Sequence, residues 1–329
     1  MAEKPKLGMY WASSCGGCEI SLVNLDEKIL DIAANFDFVF CPCLLDTKKA
    51  DIEAMPDGGL ALTFFNGAIR TAENEEMARL LRAKSQTLAA FGACACEGSI
   101  PGLANLSGRE DLFKAVYLDN PSTQNQMKTI PQAFTGVPEG GLRIPEFCER
   151  VKTLKDVVAV DYFLPGCPPE PSRVWSVVEA IISGKPLGPK GGVIGAGDCA
   201  VCDECPRTKK DKRLKRFFRT WEIVPDTESC LLEQGLVCMG IATRSGCGGL
   251  CPRVNMPCTG CYGPPAGVSD QGAKMVGALG SILDVEPLRG LSEEDLEREI
   301  EGRRAFLPDP AGTFYKYSLP GSILKGARK

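Results

Sequence analysis

The chain has 329 residues with 17 cysteines and no histidine, and these two numbers restrict its chemistry more than any other feature. Without imidazole, Ser-His-Asp and Cys-His mechanisms are excluded, and so are zinc or haem sites that use histidine. Any metal must therefore be held mainly by thiolates, with carboxylates at most assisting. Three uses of so many cysteines compete: disulfides, zinc sites and iron–sulfur clusters.

The N-terminal sequence MAEKPKLGMYWASS contains no apolar signal stretch, and no segment approaches the roughly 18 apolar residues of a membrane span. We therefore expect a cytoplasmic protein with no membrane span, in which disulfides have no general role. The net charge of −4 gives no reason to expect nucleic acid as a partner. Zinc and iron–sulfur clusters both remain, because four thiolates suit either.

Strand-like and helix-like segments alternate through the first half, which predicts an α/β fold with a doubly wound parallel sheet. The apolar runs predict strands at residues 6–12, 36–41, 60–65, 87–92 and 156–164. Helical spacing of apolar residues predicts helices at residues 19–34, 72–84 and 172–183.

Cysteines follow three of these predicted strands. Cys15 and Cys18 come after the first strand, Cys94 and Cys96 after the fourth, and Cys167 after the fifth. Because parallel sheets place their sites at the carboxyl ends of the strands, we expect these five residues to meet at one edge. There, Cys94 and Cys167 would extend the Cys15/Cys18 pair to four ligands.

The composition changes at residues 184–197 (GKPLGPKGGVIGAG), a linker rich in glycine and proline. Nine cysteines follow between Cys199 and Cys261, among few apolar runs that could build a core. Metal ligation would supply the missing folding free energy. We therefore expect two domains, residues 1–186 and residues 187–329, the second rich in loops with one clear helix at residues 291–306.

Three motifs carry a family resemblance: GCE after the first strand, GACA after the fourth and GCPP after the fifth. They resemble the small subunit of nickel–iron hydrogenases, and the first cluster motif is shared with a subunit of respiratory complex I that lacks a second cluster domain. The resemblance implies a flavodoxin-like first domain. It also implies a proximal [4Fe-4S] cluster, whose ligands would be Cys15, Cys18, Cys94 and Cys167.

The second half extends this resemblance. CDECPR, beginning at Cys202, and CLLEQG, beginning at Cys230, resemble the family's distal-cluster motifs, in which a histidine usually stands at the position of Cys202. The implied ligands of the distal [4Fe-4S] cluster are Cys202, Cys205, Cys230 and Cys238. Those of the medial cluster are Cys247, Cys258 and Cys261, with Cys251 as a fourth, so that we expect [4Fe-4S] here too.

Within that family, the all-cysteine ligand set is most similar to the methyl-viologen-reducing hydrogenase. This likeness implies three [4Fe-4S] clusters, a Ni-Fe centre on a partner large subunit and no catalytic residue on this chain. Electrons would leave through a small iron–sulfur adaptor subunit to heterodisulfide reductase. One alternative is the deazaflavin-reducing hydrogenase, in which an aspartate helps ligate the first cluster, so that Asp46 becomes relevant. Another is an electron conduit in a bifurcating complex that is not a hydrogenase.

Five cysteines have no assigned partner, and we expect buried, unreactive thiols at these positions: Cys41, Cys43, Cys96, Cys148 and Cys199. Cys199 also forms a Cys-x-x-Cys pair with Cys202, which allows a distal set shifted by one cysteine. Glu19 either stabilises a helix N-terminus or assists proton movement near the partner. The basic run at residues 207–219 is either a solvated helix face or, as we favour, a docking surface for an acidic redox partner.

Overall fold

The computed structural model describes residues 3–210, 213–304, 307 and 309–326, and nothing is said below of the side chains at 303 and 304. The chain divides into two compact units. The first contains the chain up to Gly195 together with the chain from Leu319 onward, and the second is Ala196–Ser318. The tail joins the first unit because the Pro320 ring lies against Gly98 and Gly102. The expected domain division at residue 187 stays a prediction.

The centre of the first unit is a sheet of six parallel strands. In spatial order these are β10 (Gly192–Val193), β9 (Tyr162–Leu164), β5 (Ser85–Phe91), β3 (Leu60–Asn66), β1 (Lys6–Trp11) and β2 (Asp37–Phe40). Counting only these strands along the chain, the order is 2-1-3-4-5-6, which is the flavodoxin-like doubly wound arrangement. The sequence-based fold class is therefore confirmed.

Two short antiparallel pairs accompany the central sheet. β4 (Ile69–Thr71) pairs with β8 (Phe147–Lys152), and β6 (Phe134–Val137) pairs with β7 (Gly140–Arg143). The helices of the first unit are α1 (Gly17–Val23), α2 (Ile29–Asn35), α3 (Lys49–Ala54), α4 (Ala72–Lys84), α5 (Ala93–Glu97), α6 (Arg109–Tyr117) and α7 (Pro171–Ile182). Its 3-10 turns are Asp26–Lys28, Ile100–Leu106 and Leu154–Asp156.

Helices cover both faces of the sheet. Phe64 belongs to a buried cluster with α1 and α7, whereas its neighbour Phe65 belongs to one with α3 and α4. Adjacent strand residues point to opposite faces, so this alternation places one large ring in each core. A sheet buried on both sides explains why its strands read as continuous apolar runs.

The predicted helix at residues 72–84 is confirmed, and Thr71 caps it by accepting a hydrogen bond from the Asn74 backbone N–H. The predicted helix at residues 19–34 is instead α1 and α2, since Asp26 has a positive φ of 53° between them. The predicted strand at residues 156–164 is limited to β9. Its first part is not extended because the Asp156 carboxylate accepts hydrogen bonds from Thr153 N and Oγ and closes a 3-10 turn.

The second unit has little sheet and is built from turns and four helices in its described part. The helices are α8 (Leu250–Arg253), α9 (Gln271–Ile282), α10 (Glu293–Arg304) and α11 (Pro310–Phe314). The 3-10 turns are Val201–Asp203, Leu232–Gln234, Met239–Ala242 and Glu286–Leu288. The sequence analysis missed α9, and residues 305 and 306 of the helix expected at 291–306 lie outside the described residues. Within the described ranges, every helix is too short or too polar to cross a lipid bilayer.

Candidate metal centres

The first group of cysteines, the proximal set, lies at the carboxyl edge of the parallel sheet. Its members are Cys15, Cys18, Cys94 and Cys167. The loops that follow β5 and β9 are joined by hydrogen bonds from Gly92 N to Leu164 O (2.8 Å) and from Ala93 N to Gly166 O (2.7 Å). Since β5 and β9 are neighbouring parallel strands, these bonds hold Cys94 and Cys167 at one edge.

Gly92 permits the close approach of two of these loops. Its φ is 84°, and a Cβ there would lie 2.2 Å from the Cys18 Sγ. Any other residue would collide with that sulfur. One turn further along α1 from Cys18, Ser21 Oγ donates a hydrogen bond to the carbonyl of Pro169 (2.5 Å), which ties the helix to the Cys167 loop. The convergence of this set thus depends on backbone geometry.

The thiols of the proximal set influence one another. Burial, together with the smaller effects of the charges on Cys167 and Cys15, raises the pKa of Cys94 to about 12. Burial also raises the pKa of Cys18, together with Cys94 and Cys167. Cys18 and Cys94 are buried, and their thiolates cannot lie side by side there unless a cation compensates their charge. This donor set fits a metal centre with several positive charges.

A carboxylate and an amide lie beside this set. Glu19 is buried in the first turn of α1, and both of its carboxylate oxygens accept hydrogen bonds from Asn66 Nδ2 (2.6 and 2.7 Å). The same amide group donates to Ser14 Oγ (3.0 Å). The sequence analysis missed Asn66. A polar residue at the carboxyl end of the buried strand LALTFFN was the signal that could have found it.

The second group, the distal set, surrounds one cavity. Cys202, Cys205, Cys230 and Cys238 all line it. The pKa of Cys202 is raised to about 12, mainly by burial. Lys209 opposes this rise, and the other three thiols of the set add to it. The cavity lining includes Cys202 and not Cys199, which is exposed.

Backbone hydrogen bonds and one arginine position the distal set. Thr208 links the segment of Cys202 and Cys205 to that of Cys230, because Cys230 N donates a hydrogen bond to the Thr208 carbonyl (2.8 Å). Arg207 is buried, and its guanidinium donates to four acceptors at 2.6 to 3.0 Å. These acceptors are the carbonyls of Pro252, Asp226 and Ser229 and the Asn255 Oδ1.

The third group, the medial set, is brought together as two pairs. Burial raises the pKa of Cys251, and the charge of Cys247 adds to this rise. Burial also raises the pKa of Cys258, followed by the charge of Cys238 and by a smaller effect of Cys261. The segments that carry the pairs run side by side, since Arg244 N donates to Gly263 O (2.8 Å). Backbone amides around Cys247 donate to the Glu204 carboxylate, a partner that the sequence analysis missed.

The medial and distal sets meet at one hydrogen bond. The backbone N–H of Cys258 donates to the Cys238 Sγ at 3.3 Å. Cys238 also receives a hydrogen bond from the Gly240 backbone, and both amides oppose the rise that burial causes in its pKa. Amide donors to a cysteine sulfur are typical of iron–sulfur sites and tune their potentials.

The remaining cysteines differ among themselves. Cys41 and Cys96 are buried as expected, whereas Cys43 and Cys199 are exposed and Cys148 is half-buried, which corrects the expectation of five buried thiols. Cys41 and Cys43 are not isolated, because their sulfurs lie 3.3 Å apart.

None of the 17 cysteines is in a disulfide. Over the described residues, no three Cys, Asp or Glu side chains are arranged to hold a single metal ion. The Asp46 carboxylate is fully exposed and pairs with Lys48.

The basic run at residues 207–219 is not one continuous surface. Arg207 is buried among its carbonyl partners, and Leu214 and Phe217 enter the apolar core of the second unit. Arg219 lies over the ring of Trp221, which is 76% exposed. Only part of the run is therefore available to a partner.

Comparison with known proteins identifies the class to which this chain belongs. The family model described as NADH ubiquinone oxidoreductase, 20 Kd subunit, matches residues 15–181. Structurally, a [NiFeSe] hydrogenase from Desulfovibrio vulgaris Hildenborough superposes with a TM-score of 0.50 and 17% identity, covering 80% of this chain and 94% of that one. At this identity, the likeness concerns the fold alone.

Proteins of similar sequence define the family more closely than the fold does. The iron-sulfur subunit of the F420-non-reducing hydrogenase of Archaeoglobus profundus is 40% identical over 97% of both chains. A subunit of the F420-non-reducing hydrogenase of Methanothermobacter marburgensis is 37% identical over 98% of this chain and 97% of its own length. The chain belongs to this family of hydrogenase small subunits, and it is thus part of an oxidoreductase.

Proposed function

We propose that this chain carries three [4Fe-4S] clusters that pass electrons from the Ni-Fe centre of a partner large subunit to an iron–sulfur adaptor subunit and heterodisulfide reductase. The clusters would supply one-electron transfer, and the chain itself holds no catalytic residue. The observation that carries the proposal is the grouping of cysteines from distant parts of the sequence at one sheet edge and around one cavity. The proximal, distal and medial sets are the proposed ligands.

Exposed apolar side chains support the proposal that a partner large subunit binds this chain. Ile20, Val23, Leu30 and Leu44 are each more than half exposed, and Ile20 and Val23 lie on α1, the helix that contains Cys18. Val23 and Leu44 also line the same cavity, and exposed apolar side chains that lie close together mark interaction sites. A permanent partner that covers this surface would also exclude water from the proximal set.

The hydrogen bond from Cys258 N to Cys238 Sγ supports a relay through the second unit. It connects a proposed medial ligand with a proposed distal ligand without an intervening side chain. The relatives are F420-non-reducing hydrogenases, which favours this role over that of a deazaflavin-reducing subunit. The exposed Trp221 and Val224 offer an apolar contact for the adaptor subunit. We place the complex in the cytoplasm.

Metal analysis tests the cluster assignment. The anaerobically purified complex should contain about twelve iron atoms in this chain, with matching acid-labile sulfide. Cys94→Ser should remove about four of them, whereas Cys96→Ser, two residues away, should remove none. Stoichiometric zinc with little iron would contradict the proposal.

Hydrogen-dependent dye reduction tests the division of labour. The complex with its large subunit should reduce a viologen dye under hydrogen, and the cluster-loaded chain alone should not. Hydrogen oxidation by the isolated chain would contradict a catalytic site on the partner. Inactivity of the intact complex would favour the conduit of a bifurcating complex that is not a hydrogenase.

The distal ligand assignment has its own test. A thiolate is anionic where imidazole is neutral, so Cys202 should give the distal cluster a lower potential than histidine would. Cys202→His should keep the cluster and raise its midpoint potential, and Cys199→Ser should change neither. Loss of the distal paramagnetic resonance signal in Cys199→Ser, with the signal retained in Cys202→His, would show that the assignment is shifted by one cysteine.

A further inference from the structure

Cys41 and Cys43 lie side by side in a turn that follows β2. The Cys41 carbonyl accepts hydrogen bonds from Leu44 N (2.9 Å) and Leu45 N (2.8 Å), which closes the turn. Pro42 stands between the two cysteines, and its ring fixes φ at about −65°, which suits the second position of a turn. The two sulfurs are 3.3 Å apart. Side-chain rotation would bring them to the roughly 2.05 Å of a disulfide bond.

The surroundings of the two sulfurs favour thiol chemistry over metal binding. Over the described residues, no third cysteine or carboxylate is arranged with them to hold a single metal ion. Zinc in a structural site takes four protein ligands. Neither cysteine belongs to the proximal, distal or medial set. The pair is therefore available for a reaction of its own.

The two thiols differ in their access to solvent. Cys41 is buried, whereas Cys43 is exposed. Burial raises the pKa of Cys41, and the hydrogen bond to Cys43 adds to this rise. Both residues line a cavity of about 370 Å³, from which a small molecule can reach the sulfurs. Because reaction with a disulfide requires access, Cys43 is the thiol that reacts first, and Cys41 is placed to react second.

We propose that Cys41 and Cys43 form a reversible disulfide by exchange with a small-molecule disulfide. The Cys43 thiolate attacks one sulfur of the oxidant, which forms a mixed disulfide and releases one small thiolate. The Cys41 sulfur then attacks the Cys43 sulfur, and the second small thiolate leaves. The two leaving thiolates take up the protons of the two cysteines. The pair thus loses two electrons, and the oxidant is reduced to two thiols.

The position of the pair identifies the form of the protein in which this exchange takes place. Leu44 directly follows Cys43 and is one of the exposed apolar side chains that we assign to the interface with the large subunit. A partner on this surface would cover Cys43. The exchange is therefore a reaction of the chain before assembly, and the free full-length chain is the form to test.

Mass spectrometry tests the proposal directly. The cluster-loaded chain is incubated anaerobically with excess glutathione disulfide, alkylated and digested with trypsin. The peptide 29–48 contains Cys41 and Cys43 and no other cysteine. In the wild type it should be two hydrogen atoms lighter than the reduced peptide and should resist alkylation. Excess reduced glutathione should restore both thiols.

Two single variants separate the roles of the thiols. Cys41→Ser should keep a glutathione adduct on Cys43, at a level roughly tenfold above that of the wild type, because no neighbouring thiol displaces it. Cys43→Ser should form no disulfide, and its buried Cys41 should gain an adduct more slowly. Cys148→Ser, which changes another partly accessible cysteine, is the control and should oxidise like the wild type.

A wild-type peptide 29–48 that stays fully open to alkylation at equilibrium with excess glutathione disulfide would overturn the inference. So would a glutathione adduct that persists in the wild type as it does in Cys41→Ser. The wild-type measurement needs no variant, so an effect of serine on folding cannot obscure it.

Discussion

The two units of the chain hold their cysteines by different means. In the first unit, large side chains such as Phe64, Phe65 and Leu88 are completely buried in the layers on either side of the sheet. The proximal set is attached to the ends of strands that this packing already fixes. In the second unit the apolar core is smaller. We therefore expect the first unit to keep its fold without metal, and the second unit to need bound metal in order to fold.

Metal removal should produce the largest difference between the units. Chelation of iron under anaerobic, reducing conditions should open the second unit, because its cysteine-rich turns lose their common anchors. The parallel sheet of the first unit should survive. Hydrogen exchange is the measurement: amides within 196–318 should lose protection while those of β3 and β5 keep theirs. Reduction without chelator is the control, and equal protection in both units would refute the contrast.

Two arginines sharpen the comparison. Arg207→Met leaves four acceptors in the second unit without a donor, so local stability should fall by about 3–4 kcal/mol, about 1 kcal/mol for each. Arg82→Met, in the first unit, removes a partly exposed arginine bound to Asp161 and Ser85 and should cost about 1–2 kcal/mol.

The exchange rates of the Thr208 and Cys230 amides report the effect of Arg207→Met, and β5 amides report that of Arg82→Met. A larger loss of local stability in Arg82→Met than in Arg207→Met would contradict this ranking, because it would show that the sheet depends on its arginine more than the turn region does.

The next largest effect is expected at Glu204, in the second unit. Its carboxylate accepts hydrogen bonds from Gly246 N and Gly248 N at 2.9 Å, on both sides of Cys247. Glu204→Ala should destabilise this loop by about 2 kcal/mol and release medial iron before distal iron. Iron content and the medial paramagnetic resonance signal are the readouts. The exposed Glu228→Ala serves as control, and equal iron loss in both variants would dismiss a specific role for Glu204.

Sequence reasoning succeeded where a local rule decides the structure. The helix at residues 72–84 is marked by acidic residues in its first turn and basic ones in its last, and its limits are those of α4. The continuous apolar runs of β1, β3 and β5 identified the sheet, and strand order then placed Cys15, Cys94 and Cys167 at one edge.

The features that sequence reasoning missed depend on contacts between residues that are distant in the sequence. Asn66 contacts Glu19, 47 positions away, and Glu204 contacts Gly246, 42 positions away. The strand expected at 156–164 forms only at Tyr162–Leu164, because the Asp156 carboxylate closes a turn at the start of this apolar run. Arg207 reads as part of a surface run in the sequence, yet acceptors from distant parts of the chain surround it.

Asp161 gives the smallest expected effect and a pH dependence confined to the first unit. Its buried carboxylate binds Arg82 Nη1 (2.5 Å), Lys190 Nζ (2.8 Å) and Leu88 N (2.8 Å). Burial alone would raise its pKa, but these hydrogen bonds outweigh burial and lower the pKa from 3.8 to about 2. Because the folded pKa lies below the unfolded one, the contribution is full above about pH 4 and is lost as pH falls through about 2.

Asp161→Asn should therefore destabilise the sheet by about 1–2 kcal/mol at pH 7, after allowance for solvent screening. The deficit should be roughly half as large at pH 3. Unfolding of the sheet in the iron-free full-length chain, followed by circular dichroism, avoids interference from acid-labile clusters. Asp57→Asn removes an exposed carboxylate paired with Lys84 and should cost at most about 0.5 kcal/mol. A deficit that does not change between pH 7 and pH 3 would mean that Asp161 contributes by packing and not by its charge.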